Sequence, residues 1–352
     1  MEGGAVEVRD IEVLRSILGE VRAGEARAAG PLGLVPLSGG RPAPAYVLAE
    51  EALAAGLLEI REKAGGSVPT LVARNLASEP VLLLEGEQLV GVRQDRVLNV
   101  PVLVPASSEL EIPVSCVEPR RWRYERRRTA FVDAPMVSPR VRARKVASVG
   151  ASLRARGMRD SDQFRIWAAV EERLAEARVS SDTGALRHAY EGRAHDLAGI
   201  VAEAGEPAEG QTGVVACVGG RPIALDLFDR PSTLARVWPR LVRGYALDAL
   251  GAEAAPVDGE AVRGFLAGLA RGEATAHDAV GLGTEVVLSG AGLTGDALVW
   301  EGAVVQLAAF PSEPPRGRER PAGGQVGFGD LLAPPSSRSR RRRWADGPRC
   351  VR

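Results

Sequence analysis

The stretch from Val81 to Trp122 constrains the fold of this chain more than any other. Its sequence is VLLLEGEQLVGVRQDRVLNVPVLVPASSELEIPVSCVEPRRW. Leucines and β-branched residues broken by Gly, Pro and Ser predict a series of β-strands. Charged and amide side chains interrupt these strands, and an unpaired carboxylate in a buried strand costs roughly several kcal/mol. The stretch therefore predicts either a shared polar site or an ion-pair network that fixes the fold.

The overall composition is that of a soluble globular protein without an electrostatic preference. The formal net charge is +0, which gives no general attraction to nucleic acid or to a membrane surface. Cys116, Cys217 and Cys350 are far apart and form no CxxC pair, which favours a reducing compartment. The acidic N-terminus lacks the apolar core of a signal peptide, and no apolar run reaches the ~18 residues of a membrane helix. We therefore expect a cytoplasmic protein that does not insert into a membrane.

The order of predicted elements indicates an α+β fold. It has a β-rich N-terminal half, a helical middle, a mixed β/α C-terminal part and a disordered C-terminal tail. The predicted divisions are a lead-in at 1–29, a single α+β domain at 30–311, and a tail rich in Arg and Pro at 312–352. Within the domain, the β-rich part is 30–122, the helical part 140–205 and the mixed part 211–311.

Four helices in the second half have recognisable limits. The first is predicted to begin at an N-cap, Ser161, and the second to cover Gly184–Ala204. The third has Ser232 as its cap and Pro239 inside it, where a kink is expected. The fourth covers Gly259–Arg271. The pair Gly219-Gly220 predicts a two-residue β-hairpin turn between two further strands.

The polar residues of the opening stretch are the candidate site. Glu85 and Glu87 are two residues apart, so in a regular strand they point the same way, and Glu118 could join them from another strand. Three carboxylates could serve as general acid and base or hold a metal. The predicted catalytic residues are Glu85, Glu87 and Glu118. The predicted substrate-binding residues are Gln94, Arg96, Asn99, Arg121 and Trp122, with the two arginines holding an anion.

A structural interpretation of the same residues stays open. Glu85 or Glu87 could pair with Arg96 or Arg121 as a structural ion pair, since ion-pair networks often resemble sites. The chain would then be a non-catalytic scaffold or a protein-interaction module. The sequence does not decide whether the chain is an enzyme, which cofactor it uses or what its oligomeric state is.

Other motifs carry weaker predictions. Cys116 and Cys217 lie in apolar strands and are predicted to be buried core residues. His188 and His195 are seven residues apart, a spacing that does not favour a zinc site, and we predict no metal site. The GxGxxG at 290–295 is followed by a strand and not by a helix, which favours a hairpin loop over a dinucleotide site. The arginine-rich runs at 120–128 and 338–343 favour solvated segments, with weak nucleic-acid binding through the tail as the exception.

Three long motifs resemble a known bacterial domain family. They are EGEQLVGVRQDRVLNVPVLVPASS at 85–108, VSCVEPRRW at 114–122 and LDLFDRPSTLARVWPRLVRGYALDAL at 225–250. They are similar to the ARG and rhodanese-phosphatase-superfamily-associated protein domain, in which ARG denotes ADP-ribosylglycohydrolase, over about residues 30 to 310. The family pattern has a glycine before its Arg-Trp pair, where this chain has Pro119-Arg120-Arg121-Trp122, so a different local turn is expected.

The resemblance implies a setting and not a reaction. The family takes its name from the proteins that it accompanies, and the company of ADP-ribosylglycohydrolases implies ADP-ribose or NAD metabolism. The resemblance therefore favours a protein that acts on or binds a nucleotide or an ADP-ribose-like phosphorylated sugar. The expected partner is a phosphorylated small molecule.

Overall fold

The computed structural model of the chain describes residues 2–63, 65–90, 94–121 and 134–312. The described residues fall in one compact unit, Met1–Pro315. The helices in this part of the chain are α1 (Glu2–Glu20), α2 (Ala49–Ala54), α3 (Pro139–Arg156), α4 (Gln163–Glu176), α5 (Arg187–Gly192), α6 (Ala194–Ala204), α7 (Pro231–Ala249) and α8 (Gly259–Arg271).

The strands alternate with these helices in a pattern that is neither all-β nor regularly α/β. They are β1 (Arg22–Ala23), β2 (Arg27–Ala29), β3 (Leu32–Ser38), β4 (Val47–Leu48), β5 (Leu58–Glu62), β6 (Thr70–Asn75), β7 (Val81–Leu83), β8 (Gln88–Leu89), β9 (Arg96–Leu98), β10 (Val102–Val104), β11 (Glu109–Cys116), β12 (Gln211–Val218), β13 (Arg221–Phe228), β14 (Glu273–Asp278), β15 (Thr284–Gly290), β16 (Leu293–Trp300) and β17 (Ala303–Pro311). The predicted α+β class is confirmed.

A nine-stranded antiparallel sheet forms the centre of the fold. Its order is β1-β3-β12-β13-β17-β16-β15-β14, with β2 also paired to β3. The sheet is covered on both faces, because alternate residues of each strand enter different cores. In β12, Val214 and Ala216 pack beneath α6 and α7, whereas Val215 and Cys217 face the core that includes residues of α1 and α8. Cys217 is buried, as predicted.

Two smaller sheets make up the β-rich N-terminal part. One has the order β10-β7-β4, and the other the order β5-β6-β11-β9-β8. The strands here are shorter than the apolar runs of the sequence. The segment at 80–89 divides into β7 and β8 at a turn, and the segment at 96–105 divides into β9 and β10 just before Pro101. Each division moves the chain from one sheet to the other, since a residue with positive φ or a proline ends the ladder.

The helices also differ from the sequence predictions at their starts. Asp162, not Ser161, caps α4, because its side chain accepts a hydrogen bond from the backbone N–H of Arg165. The predicted helix at 184–204 is two helices that meet at Arg193, whose φ of −119° is not helical. α7 begins at Pro231 after Arg230 and not at Ser232, and it does contain Pro239. α8 has the predicted limits.

The remaining predictions concern two hairpins, which the structure describes, and several segments that lie outside the described residues. The hairpin turn at 219–220 is confirmed by the pairing of β12 with β13. The hairpin loop predicted for the GxGxxG at 290–295 is confirmed by the pairing of β15 with β16, in which Gly290 lies opposite Leu293. The tail from 313 onward, most of the arginine-rich run at 120–128, and Trp122 lie outside the described residues. Within the described ranges, none of the helices combines the length and the apolar character that a bilayer crossing demands.

Candidate functional site

A tight turn between β7 and β8 places the first two predicted carboxylates. Gly86 has a φ of +83°, a conformation that glycine adopts without strain. Its N–H donates to Leu98 O and its carbonyl accepts from Val137 N, so the turn is fixed on both sides. Glu85 and Glu87 consequently lie on a turn and meet different partners. The prediction that they point the same way from a regular strand is wrong.

Arg142 of α3 is the centre of a buried ion-pair network. Its Nε and Nη2 donate to Glu85 Oε2 at 3.0 and 2.6 Å, and its Nη1 and Nη2 donate to Asp226 at 3.0 and 2.6 Å. Tyr245 Oη also donates to Asp226, at 2.5 Å. All three ionised side chains are 0% exposed. Arg142 therefore joins the turn of the N-terminal part, the central sheet and α3 at one point.

Lys145, one turn further along α3, completes this network. Its ammonium group lies 2.6 Å from Glu85 Oε1 and donates to the carbonyls of Leu98 and Asn99 at 2.7 Å each. Burial would raise the pKa of Glu85, but Arg142 and Lys145 outweigh it and hold that pKa below its usual value. Burial lowers the pKa of Lys145 in spite of Glu85. We name the set Glu85, Arg142, Lys145, Asp226 and Tyr245 the Arg142 network.

Two more acids lie next to this network on the same face of the central sheet. Glu285 accepts a hydrogen bond from Arg159 Nε at 2.5 Å. Burial, together with Glu285 and Glu85, raises the pKa of Asp296 well above its usual value, and its Oδ1 has no hydrogen-bond partner among the described residues. Burial and the neighbouring carboxylates therefore favour the protonated form of Asp296.

Glu87 belongs to a different pair. Its Oε1 accepts from Arg240 Nη2 of α7 at 3.0 Å, and its Oε2 accepts from the N–H of Leu84 at 3.1 Å. Glu50 lies 3.3 Å from the Nε of the same arginine. Burial raises the pKa of Glu87, and Arg240 only partly opposes this. This pair connects the turn to α7.

Glu118 belongs to a third set, behind α5. Its Oε2 lies 2.6 Å from Arg121 Nη2 and accepts from the N–H of Asp95 at 3.0 Å. Asp95 in turn lies 3.3 Å from Arg121 and 3.2 Å from the Nε of Arg187. Burial would raise the pKa of Glu118, but Arg121 outweighs it and the pKa is lowered. Thr183 Oγ1 lies close enough to Glu118 to affect this pKa, but outside hydrogen-bond geometry.

A pocket opens on the solvent side of Arg187. Its volume is about 360 Å³, within the range of small-molecule sites. Charged and apolar groups share its wall, which consists of Val90, Ala134, Pro135, Arg187, Tyr190, Glu191, Ala194 and Arg243. Tyr190 Oη donates a hydrogen bond to Met136 O at 3.0 Å, and this bond holds the tyrosine in the wall.

Arg243 of α7 differs from the other partly buried arginines of the described chain. It makes no hydrogen bond and no ion pair with any described residue, although it lies in a pocket wall. Arg187, the second arginine of the wall, is anchored from behind by Asp95. The pocket thus presents one fixed guanidinium and one whose hydrogen-bonding groups are unused.

The other predicted binding residues are buried and lie away from this wall. Arg96 Nε donates to Val68 O at 3.2 Å. Asn99 Nδ2 donates to Arg159 O at 2.7 Å, and its Oδ1 accepts from Ser115 at 2.5 Å. Gln94 Nε2 donates to Glu118 O at 3.1 Å. Cys116 is 0% exposed, and burial raises the pKa of its thiol.

The structure therefore divides the predicted site among several sets. Glu85 pairs with Arg142 and Lys145, Glu87 with Arg240, and Glu118 with Arg121. Arg96 is not the partner of Glu85 or Glu87, and the three carboxylates share no arginine. Sequence reasoning missed the partners, which are Arg142, Lys145, Asp226, Tyr245, Arg240, Asp95 and Arg187. It also missed Arg243 of the pocket wall. One indication was present: the sequence has only two lysines among 45 basic Lys and Arg residues, and Lys145 is one of them.

The fold and this geometry define an α+β domain with a buried ionic centre and a separate pocket that carries arginines. A family model, the ARG and rhodanese-phosphatase-superfamily-associated protein domain, matches residues 20–310. The chain belongs to this family, as its motifs predicted. No curated protein and no solved structure shows significant similarity to the chain.

Proposed function

We propose that the chain binds a small anionic metabolite, of the phosphorylated-sugar or nucleotide class, in the pocket beside Arg187 and Arg243. The observation that carries this proposal is Arg243, a partly buried guanidinium without a partner among the described residues. An arginine held in a pocket wall offers a planar fork of donors that matches a phosphate or a carboxylate. Nothing in the described structure uses those donors, so a ligand is their natural acceptor.

The rest of the wall supports a ligand with both an anionic and a neutral part. Glu191 is exposed at the pocket and can accept hydrogen bonds from sugar hydroxyls. Val90, Ala134 and Pro135 supply apolar surface beside it. A mostly apolar wall with a few charged groups is the usual character of a metabolite site.

The ion pairs of the β7–β8 turn favour a structural role for two of the predicted catalytic residues. Glu85 and Glu87 are buried and paired, so neither carboxylate is available to a substrate. Their pairing also supports the second candidate function, a non-catalytic interaction module. The pocket favours ligand binding over this alternative.

A thermal-shift screen tests the proposal. The ligands are ADP-ribose, NAD, mononucleotides and sugar phosphates, and the company implied by the family name is the reason to include the first two. A ligand at 100 times its Kd stabilises the folded chain by about 2.7 kcal/mol. We expect a hit with the wild-type protein and a loss of roughly 10- to 100-fold in affinity for Arg243→Ala.

The matched control is Arg236→Ala on the same helix. Arg236 pairs with Glu51 at the surface, with its side chain 58% exposed, and does not line the pocket. The control variant should bind like the wild type. If the folded wild-type protein binds none of the ligands, or if both variants lose affinity equally, the result favours the non-catalytic interaction module.

A further inference from the structure

The edge strand β5 pairs on one side only. Among the described strands it forms an antiparallel ladder with β6 and has no strand on its other side. Leu58 and Ile60 point into the core, whereas the side chains of Glu59 and Arg61 are each 51% exposed. An edge strand offers a row of unpaired backbone donors and acceptors to another strand. β5 is therefore a surface on which a further strand can add.

The hydrogen bonds to β6 identify which backbone groups of β5 are on the open side. Leu57 O accepts a hydrogen bond from Leu76 N at 2.8 Å, so the carbonyl of Leu57 faces β6. Every second residue of an antiparallel strand bonds the same neighbour, and the intervening residues direct their N–H and C=O groups away from it. The β5 residues whose backbone groups face the open side are Leu58, Ile60 and Glu62.

The exposed face beside this edge carries charges of alternating sign. Glu59 lies opposite Arg74 of β6, with the ion pair at 3.7 Å, and Arg74 lies opposite Glu109 of β11. Arg61, the next exposed residue of β5, lies 2.5 Å from Glu109. Charges on an edge strand usually deter pairing. Here, however, Glu59 and Arg61 are opposite in sign and lie symmetrically on either side of Ile60.

This symmetry selects a second copy of the same strand as the partner. Two antiparallel β5 strands related by a two-fold axis at Ile60 place Glu59 of each copy opposite Arg61 of the other. The two Ile60 residues then exchange backbone hydrogen bonds, because their groups face the open side. A two-fold axis at Glu59 or at Arg61 would instead place like charges opposite each other, which is unfavourable.

We propose that the chain forms a two-fold symmetric dimer in which the β5 strands of two copies pair about Ile60. The inference is independent of the proposed function, since no residue of β5 lines the pocket at Arg187. An interface that uses the same patch on both copies closes at two. Because β5 has only five residues, the interface is smaller than that of a permanent dimer, and dimerisation depends on concentration.

Sedimentation velocity of the full chain tests the dimer directly. The wild type is measured at concentrations from about 1 to 200 µM, the range in which a small interface associates. We expect it to pass from monomer to dimer over this range. A folded wild type that stays monomeric at the highest concentration would overturn the inference.

The variants Glu59→Arg and Arg61→Glu test the register. Each variant alone gives both exposed residues of β5 the same charge, so its copies should dimerise at least about tenfold more weakly than the wild type. An equimolar mixture of the two variants should recover the wild-type affinity to within about threefold, because a positive edge then meets a negative one. Mixing does not repair a loss of stability, so the recovery separates an interface from a structural role.

The matched control is Glu111→Arg on β11, two strands away from the edge. Glu111 pairs with Lys63, and its side chain is 54% exposed. This variant should dimerise like the wild type. If the two charge reversals on β5 leave the dimer unchanged, or if mixing them brings no recovery, β5 is not the interface and the inference is wrong.

Discussion

The Arg142 network and the wall of the pocket both contain arginines, but these arginines use their hydrogen-bonding groups to different extents. In the network, Arg142 makes four hydrogen bonds to two carboxylates, and Lys145 donates to two carbonyls while it pairs with Glu85. At the pocket, Arg243 makes neither a hydrogen bond nor an ion pair within the described ranges.

The difference separates the polar residues that hold the fold from those that we propose to meet a ligand. A buried charge is tolerated when its partners are already in place, and removal of one partner leaves the other uncompensated. A donor without a partner adds nothing to the folded state on its own, but it can add binding energy when an acceptor arrives. We therefore assign stability to the Arg142 network and recognition to the pocket.

The largest effect is expected for Arg142→Met. The substitution leaves Glu85 and Asp226 buried close together, with only Lys145 to balance them, and should cost about 3–5 kcal/mol in the free energy of unfolding. Urea denaturation measures it. Arg140→Ala, two residues earlier on α3, is the control, since Arg140 pairs with Glu176 at the surface and its loss should cost less than about 1 kcal/mol. Equal costs for the two variants would contradict the special role of the network.

Gly86→Ala should have the next largest effect. The added Cβ would lie 2.5 Å from Arg142 Nε, and the backbone would keep a positive φ that alanine disfavours. We expect a loss of roughly 2–4 kcal/mol. Gly56→Ala separates the cost of the positive φ from the cost of the close contact. Gly56 has a φ of +68°, but nothing lies within 4 Å of its Cβ position. If Gly56→Ala costs as much as Gly86→Ala, the close contact with Arg142 is unimportant.

Asp296→Asn should change the free energy of unfolding little at low pH, but it should change how that free energy depends on pH. The raised pKa means that folded Asp296 keeps its proton over a range in which the unfolded carboxyl group, with a usual value of 3.8, has lost it. Its contribution to stability is complete below that value and is lost as the pH rises through the raised pKa. The amide resembles the protonated acid, so the variant should lose this decline. Urea denaturation of both proteins between about pH 4 and 9 measures this difference. Two parallel curves would show that folded Asp296 is charged and would contradict the expectation.

The smallest effect on stability is expected for Arg243→Ala. Because Arg243 has no hydrogen-bonding or ionic partner among the described residues, the free energy of unfolding should change by no more than about 0.5 kcal/mol. The same urea series measures it. A cost comparable to that of Arg142→Met would place Arg243 in the structural class and remove the main support for the pocket.

The sequence predicted the class of the fold well and the site less well. Alternation and turn residues were sufficient for β12, β13 and α8, because local pattern and tertiary structure agree there. The division of the stretch at 80–105 was missed, since Gly86 and Pro101 were treated as interruptions within strands. The change of sheet at these points depends on tertiary packing, which a local pattern does not contain.

The partners of the predicted carboxylates could not be found from local spacing. Glu85 was correctly singled out as a buried charge that needs a partner, but Arg142 of α3 lies 57 positions away, and Asp226 of β13 lies a further 84 positions along the chain. In a chain with many arginines, no single arginine stands out by type.

The most direct test of this division is a calorimetric titration of ribose 5-phosphate into the wild-type chain and into Arg243→Ala. The account predicts saturable binding to the wild type and a loss of roughly 10- to 100-fold in affinity for a variant that remains as stable as the wild type. Equal binding by both proteins, or no binding to a folded wild type, would contradict the assignment of recognition to the pocket.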